Sequence, residues 1–331
     1  MSTGAGVVVG LPDSGVAPHR DLKGNLTDGT DFFTGGNGIG QTDTSGHGTN
    51  MAGVIAGHGH GTDDGVLGVS PSAKILPIRT SSAEEGGSDL AKGIRWAAEH
   101  GAQVINVSAA APKSRLMQEA VATAKHYDSI IVAGSGNTTE NTLLGYPAAI
   151  PDVLAVGAIR QDGQPAEFSV IGPEVDICAP GAGIVTTGLN NGYFKTTGTS
   201  VATAIVSGAA ALVRSEFPEL SAQEVIHRLT ATATDVGPPG RDDECGFGVL
   251  NVVKALTAEV PALGASAMPS TGPDGTASPS ASNAASEPDA APPEARADDS
   301  TFPVILGGGV AMVAVSTLLG FLTSRRRRRQ Q

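Results

Sequence analysis

The chain has 331 residues, enough for two average domains, yet its globular composition extends over one stretch only. Near residue 260 a mixed globular stretch gives way to Ala, Ser, Pro, Gly and acidic residues. The formal net charge is −12 although it includes five consecutive arginines, Arg325 to Arg329, so the rest of the chain is strongly acidic, which argues against nucleic acid as a partner.

Short β-branched runs recur at Val7 to Leu11, Lys74 to Ile78, Val104 to Val107, Ile130 to Val132 and Val153 to Val156, with helical patterns between them. That alternation predicts an α/β fold: a three-layer parallel β-sheet with helices on both faces. A helix is expected between Ser88 and His100, with Ser88 as N-cap and Leu90, Ile94 and Ala97 on its apolar side. A second is expected over Lys113 to His126, after Pro112, and a third from Ser221, where Glu224 completes a capping-box pattern. Cys178 and Cys245 are too few for a disulfide-built scaffold and lack zinc-type spacing; one disulfide or two buried thiols both remain open.

The organisation expected is a globular domain over residues 1–260 and a disordered linker over 261–301, followed by a membrane helix over 302–324 and a basic tail over 325–331. The linker lacks the apolar periodicity needed to repay its ordering. Phe302 to Thr323 is an uncharged, mostly apolar run of 22 residues. At about 1.5 Å per residue it spans a hydrocarbon core of roughly 30 Å. The arginines that follow predict a cytoplasmic C-terminus and an extracellular domain, anchored in the cell membrane by a single pass. An exported domain needs a signal segment; Met1 to Gly6 has none, so the translation start is expected upstream of Met1.

Four residues carry candidate chemistry. Asp13 closes the first strand in Pro12-Asp13-Ser14-Gly15, the strand end at which open parallel sheets gather functional groups. His47 lies between two glycines just before the apolar Met51 to Ala56 helix, where an imidazole can serve as a general base. Asn137 follows Gly134-Ser135-Gly136 beyond another strand, and its amide can donate to an oxyanion. Ser200 stands in Gly198-Thr199-Ser200, directly before the small-residue run Ala204 to Leu212, so it belongs to the N-terminus of a buried helix. Taken singly, each has an ordinary alternative as a turn, loop or cap residue. His58 and His60, in a Gly-rich run, read as exposed loop residues because no third metal ligand is evident, and no metal or cofactor is expected.

The order Asp, His, Asn, Ser, each in its local context, resembles the subtilisin-like serine peptidases. The resemblance extends to Gly65 to Pro71, Val104 to Ser108, Tyr146-Pro147-Ala148, Ala179-Pro180-Gly181 and Gly246 to Asn251, and it covers Thr3 to Leu256. It implies a serine endopeptidase with Asp13, His47 and Ser200 as triad and Asn137 as oxyanion donor. An extended polypeptide substrate would then lie between Ser108, Ala109 and Ala110 on one side and Gly134, Ser135 and Gly136 on the other. The linker, membrane helix and basic tail further resemble the mycosin proteases of actinobacterial type VII secretion, which implies that machinery as a partner.

Three positions depart from the family pattern. Ala204 replaces the proline usual four residues after the nucleophile, Ala110 replaces the glycine of a Ser-Leu-Gly segment, and Asn50 replaces a second histidine. Misplacement by about 1 Å can cost roughly 10²-fold in rate, so these changes imply either a slow or selective enzyme or a degenerate subunit serving as a scaffold.

Overall fold

The computed structural model describes residues 2–33, 35–62, 64–81, 89–138 and 143–263. In chain order the strands are β1 (Val8–Asp13), β2 (Thr30–Asp31), β3 (His58–His60), β4 (Asp64–Leu67), β5 (Lys74–Arg79), β6 (Val104–Val107), β7 (Ile130–Gly134), β8 (Leu154–Ile159), β9 (Ile177–Pro180), β10 (Ile184–Thr187) and β11 (Tyr193–Thr196). The α-helices are α1 (His47–Ala56), α2 (Leu90–Glu99), α3 (Arg115–His126), α4 (Thr199–Glu216), α5 (Ala222–Ala231) and α6 (Val252–Thr257).

Seven strands form one parallel sheet in the order β2-β5-β1-β6-β7-β8-β9. Along each central strand the side chains alternate between two cores, the period of two that a pleated strand imposes. Val9, Leu11, Val104, Val132 and Val156 join α1, α4, α5 and α6 in one core. Ile78, Ile105, Val107, Ile131 and Ala133 join α2 and α3 in the other. Both faces of the sheet are thus covered, which explains why its strands read as nearly continuous apolar runs. Truncating a fully buried member such as Leu11 or Ile105 to alanine costs about 2–5 kcal/mol.

β1 is the pivot of this order, because the chain moves outward to β5 and then returns across β1 to β6. A crevice opens at the carboxyl ends of strands where the order reverses, and Asp13 is the last residue of β1.

Two helix starts differ from expectation. Asp89, which makes no side-chain cap bond, occupies the N-cap position of α2, and Ser88 lies outside the described residues. α3 begins two residues later than expected because the Ser114 hydroxyl accepts the Met117 N–H at 3.1 Å and so sets the first turn. At α5 the box forms as the sequence predicts: Ser221 Oγ accepts the Glu224 N–H while the Glu224 carboxylate accepts the Ser221 N–H. That contact, backbone donor first and hydroxyl second, holds the Glu224 carboxyl below its ordinary range.

Cys178 and Cys245 form a disulfide within a small cluster that includes Ile159, which settles the alternative left open by the sequence. The histidines of the Gly-rich run form part of the β3–β4 hairpin. His58 is exposed, with Nε2 2.9 Å from Lys23 O, but His60 is only half exposed. The reading of His60 as a loop residue in solvent is therefore corrected: its Nδ1 bonds the fully buried Asp21 carboxylate. Burial pushes the Asp21 carboxyl up, yet the Val66 N–H, His60, Tyr193 and the His19 charge together hold it below its ordinary value. Among the described residues no group of three metal-capable side chains occurs, and no helix is long and apolar enough to cross a membrane. The expected linker, membrane helix and basic tail lie outside the described residues, apart from Pro261 to Leu263.

Candidate active site

Asp13 and His47 meet because β1 ends where α1 begins. The Asp13 carboxylate is buried, and His47 Nδ1 lies 2.8 Å from Oδ1 and 2.9 Å from Oδ2. Oδ1 also accepts the Ser14 N–H at 2.7 Å. A carboxylate only accepts, so the imidazole proton is on Nδ1 and Nε2 is the basic nitrogen of the neutral ring. The His47 side chain is 38% exposed, so the ring is tethered to Asp13 yet not sealed from the cleft it lines.

The first turn of α1 is held by Asp43, a residue the sequence reading passed over. Its carboxylate accepts from Ser45 N (3.0 Å), Gly46 N (2.8 Å), Thr49 N (3.0 Å), Thr49 Oγ1 (2.6 Å) and Ser14 Oγ (2.9 Å). Ser14 Oγ in turn accepts the Gly48 N–H at 3.0 Å. Only a glycine fits at 48, since a Cβ there would stand 2.0 Å from Gly15 O. An Asp in a Thr/Ser/Gly turn just before an apolar helix is an N-terminal capping signal, and that could have identified Asp43.

Asn50, where a second histidine was anticipated from the family, is buried against the next layer. Two carbonyls, Gly46 O at 3.0 Å and Thr187 O at 2.7 Å, face one end of its amide, and since carbonyls only accept, that end is assigned as the NH₂ that donates to both. Thr186 Oγ1 and Thr187 Oγ1 donate back to Asn50 O and Thr49 O. Asn50 thus ties α1 to β10.

Ser200 is the second residue of α4. Gly198 precedes the helix at φ +152° and ψ +167°, a region essentially reserved for glycine, and turns the chain sharply into the first turn. Ser200 Oγ donates to Ser108 O at 3.2 Å, and Ser108 Oγ donates to Ser200 O at 3.1 Å. Behind this pair, Ser207 Oγ donates to Asn106 Oδ1, and Asn106 Nδ2 to Ser108 Oγ, both at 3.0 Å. A buried polar chain therefore links the middle of α4, through the end of β6, to the serine. The sequence reading noted Val104 to Ser108 as a motif but did not recognise Asn106 as its hub.

α4 continues unbroken through Ala204, which is fully buried and keeps the backbone N–H that a proline would lack.

Asn137 stands beyond β7 and is held by its oxygen. Oδ1 accepts the Thr199 N–H at 3.1 Å and the Thr199 hydroxyl at 3.3 Å, so the amide NH₂ is the group presented elsewhere. One pocket of about 270 Å³ is lined by His47, Ser108, Ala109, Ala110, Gly134, Gly136, Asn137, Thr199 and Ser200. Of the residues expected beside a substrate, Ser135 differs. Its side chain is fully buried, with Oγ 3.4 Å from Ser169 Oγ, because alternate residues along the β7 extension face inward. An oriented imidazole, a helix-terminal hydroxyl and an amide donor around one cleft can activate the hydroxyl and stabilise an oxyanion.

Known proteins match this arrangement. The family profile Peptidase_S8, Subtilase family, matches residues 4–248. Subtilisin DY of Bacillus licheniformis is 39% identical over 260 residues, covering 76% of this chain and 91% of the relative. Among solved structures, MycP1 with its N-terminal propeptide removed superimposes with a TM-score of 0.71 at 34% identity, covering 79% of this chain and 93% of that one. A chain in the structure of an intact ESX-5 inner membrane complex superimposes with a TM-score of 0.70 at 30% identity, covering 87% and 80%. The chain belongs to the subtilase family and is a serine endopeptidase of the subtilisin type.

Proposed function

We propose that the chain hydrolyses peptide bonds through an acyl-enzyme formed on Ser200. As Ser200 Oγ attacks the peptide carbonyl, it gives its proton to His47 Nε2. Asp13 holds the imidazole in the required tautomer and stabilises its charged form. The Asn137 amide and the Ser200 N–H at the start of α4 receive the developing oxyanion. His47 then protonates the leaving amine, and water releases the acyl group. The observation that carries this reading is the contact of His47 Nδ1 with both Asp13 oxygens, at 2.8 and 2.9 Å, in the cleft that Ser200 and Asn137 also line.

An extended polypeptide would lie between the segment of Ser108, Ala109 and Ala110 and the segment of Gly134 and Gly136, both of which contribute to the cleft. Labelling with a fluorophosphonate probe tests the chemistry. Wild type should label and Ser200→Ala should not; equal labelling of the two would remove Ser200 from its role.

For location, the reading is a single-pass anchor over residues 302–324, with the domain at the outer face of the cell membrane and the machinery of type VII secretion as partner. The apolar run before Arg325 to Arg329 supports it, as does the similarity to a chain of the ESX-5 inner membrane complex. Carbonate-resistant membrane fractionation checks it, and release into the soluble fraction would rule out the anchor. Ala110, Ala204 and Asn50 motivate the alternative of a slow or inactive scaffold subunit. Turnover of a mixed peptide library by the purified protein separates the two.

A further inference from the structure

Thr203 and Ser207 stand one turn apart on α4, both fully buried, and their hydroxyls take different partners. Thr203 Oγ1 donates back into its own helix, to Thr199 O at 2.8 Å, the usual acceptor for a buried helical hydroxyl. Ser207 Oγ instead donates across to the sheet, to Asn106 Oδ1 at 3.0 Å. Asn106 is itself fully buried in β6, where its neighbours Val104, Ile105 and Val107 are apolar. Burying an amide in such a strand costs free energy unless its oxygen and its NH₂ are both bonded. Ser207 satisfies the first and Ser108 the second.

These bonds close a circuit. From Ser207 it runs through Asn106 Nδ2 to Ser108 Oγ at 3.0 Å, from Ser108 Oγ to Ser200 O at 3.1 Å, and back along α4 to Ser207. The bond from Ser200 Oγ to Ser108 O, at 3.2 Å, doubles the link at that end. α4 is thus tied to the β6 segment at Ser200 and again at Ser207, about 10 Å farther along the axis at about 1.5 Å per residue. One tie would let the helix pivot over the strand; the second removes that motion. The amide also gives the circuit a direction, because its oxygen only accepts and its NH₂ only donates. With the Ser207 hydroxyl on Oδ1, Nδ2 turns to Ser108 Oγ and the Ser108 proton is left for Ser200 O.

We propose that Ser207 is a positioning residue for Ser200: buried away from any substrate, it acts through Asn106 and Ser108 to fix where the first turn of α4 lies against β6. This rests on the proposed role of Ser200. Misplacing a reacting group by about 1 Å can cost roughly 10²-fold in rate, so Ser207→Ala in the full chain should lower kcat by about 10- to 100-fold with KM unchanged. Fluorophosphonate labelling should slow in the same proportion, each rate being corrected for the folded fraction from a thermal melt. Ser108→Ala cuts the same circuit, so adding Ser207→Ala to it should cost nothing further, whereas independent sites would multiply their effects. If Ser207→Ala alone does not fold, Ser207→Ala/Asn106→Leu leaves no buried amide unpaired and should show the same loss of kcat.

Wild-type kcat in the folded variant, a rise in KM in place of a fall in kcat, or losses that multiply with Ser108→Ala would overturn the proposal. Failure of the underlying reading looks different: Ser200→Ala would label as fast as wild type, or wild type would not label at all, and the positioning role would fall with it. Wild type that labels, Ser200→Ala that does not, and Ser207→Ala that matches wild type would leave Ser200 as nucleophile and remove Ser207 alone.

Discussion

The Asp43 carboxylate accepts the Ser14 hydroxyl at 2.9 Å and, through the Thr49 and Gly46 amides, the first turn of α1. One buried acid therefore sets both the residue after Asp13 and the helix that begins with His47. Asp43→Ala leaves several buried donors without an acceptor, at about 1–3 kcal/mol for each that water does not reach. A loss on the order of 3 kcal/mol is expected in urea unfolding, with kcat reduced and Asp43→Asn recovering part of both. Full activity in a destabilised Asp43→Ala would show that the acid supports the fold alone.

Asp13→Asn should retain the fold and cost about 10⁴ in kcat, because the neutral amide can select the wrong imidazole tautomer and cannot stabilise the imidazolium. Steady-state kinetics beside a thermal melt checks this. A loss below tenfold would mean that His47 does not depend on its carboxylate partner.

Replacing Asn137 by alanine removes the proposed oxyanion donor and the acceptor for Thr199 N–H and Oγ1. Loss of one such donor in a subtilisin costs about 10² to 10³ in turnover, and a change of that size in kcat with little change in KM is expected here. A rise in KM at constant kcat would reassign Asn137 to ground-state binding.

The disulfide closes a loop across a sequence separation of 67 residues. Chain-entropy arguments give a stabilisation on the order of 4 kcal/mol for a loop of that length. The Cys178→Ser/Cys245→Ser protein, or wild type under dithiothreitol, should melt correspondingly earlier. An unchanged melting temperature would show that the cluster with Ile159 suffices.

Two aspartates should tilt stability in opposite directions with pH. The native Asp21 carboxyl lies below its ordinary value of 3.8, so the unfolded chain binds more protons in that interval. Its contribution is complete above about 3.8 and fades as pH falls through the lowered native value. Burial raises the Asp176 carboxyl despite the Ala155 N–H and Arg241. There the native state holds the extra proton, so stability declines as pH rises from about 3.8 through the raised value. Urea unfolding over a pH series should show the acid limb flattened in Asp21→Asn and the opposite slope removed in Asp176→Asn. Parallel curves for wild type and either variant would contradict the corresponding assignment.

Much of the architecture was legible because central strands such as Val104 to Val107 are buried on both faces and therefore continuously apolar. β9 was not, since Ile177-Cys178-Ala179-Pro180 carries only one β-branched residue and is held by its neighbours. β10 and β11 were missed because they pair only with each other and mix exposed residues with buried threonines, giving no clean alternation. At the candidate site, the position of Asp13, His47, Asn137 and Ser200 around one cleft was readable because each sits at an element end with glycines near it. Asp43, Asn106 and Ser207 were not, because their importance lies in hydrogen bonds to residues distant in sequence or hidden in a turn. The inward side chain of Ser135 was not legible for a simpler reason: a motif names a segment, whereas the pleat decides which of its side chains faces the cleft.

His47 and Ser200 both lie in the first turn of helices, α1 and α4, that share one hydrophobic core on one face of the sheet. Melting that layer releases the proposed nucleophile and base together, whichever helix yields first. A copy in which that layer has opened has thus already lost the capacity to digest others. Self-destruction then requires an intact molecule to find an unfolded one, so autolysis should accelerate at partial denaturation and stop once denaturation is complete.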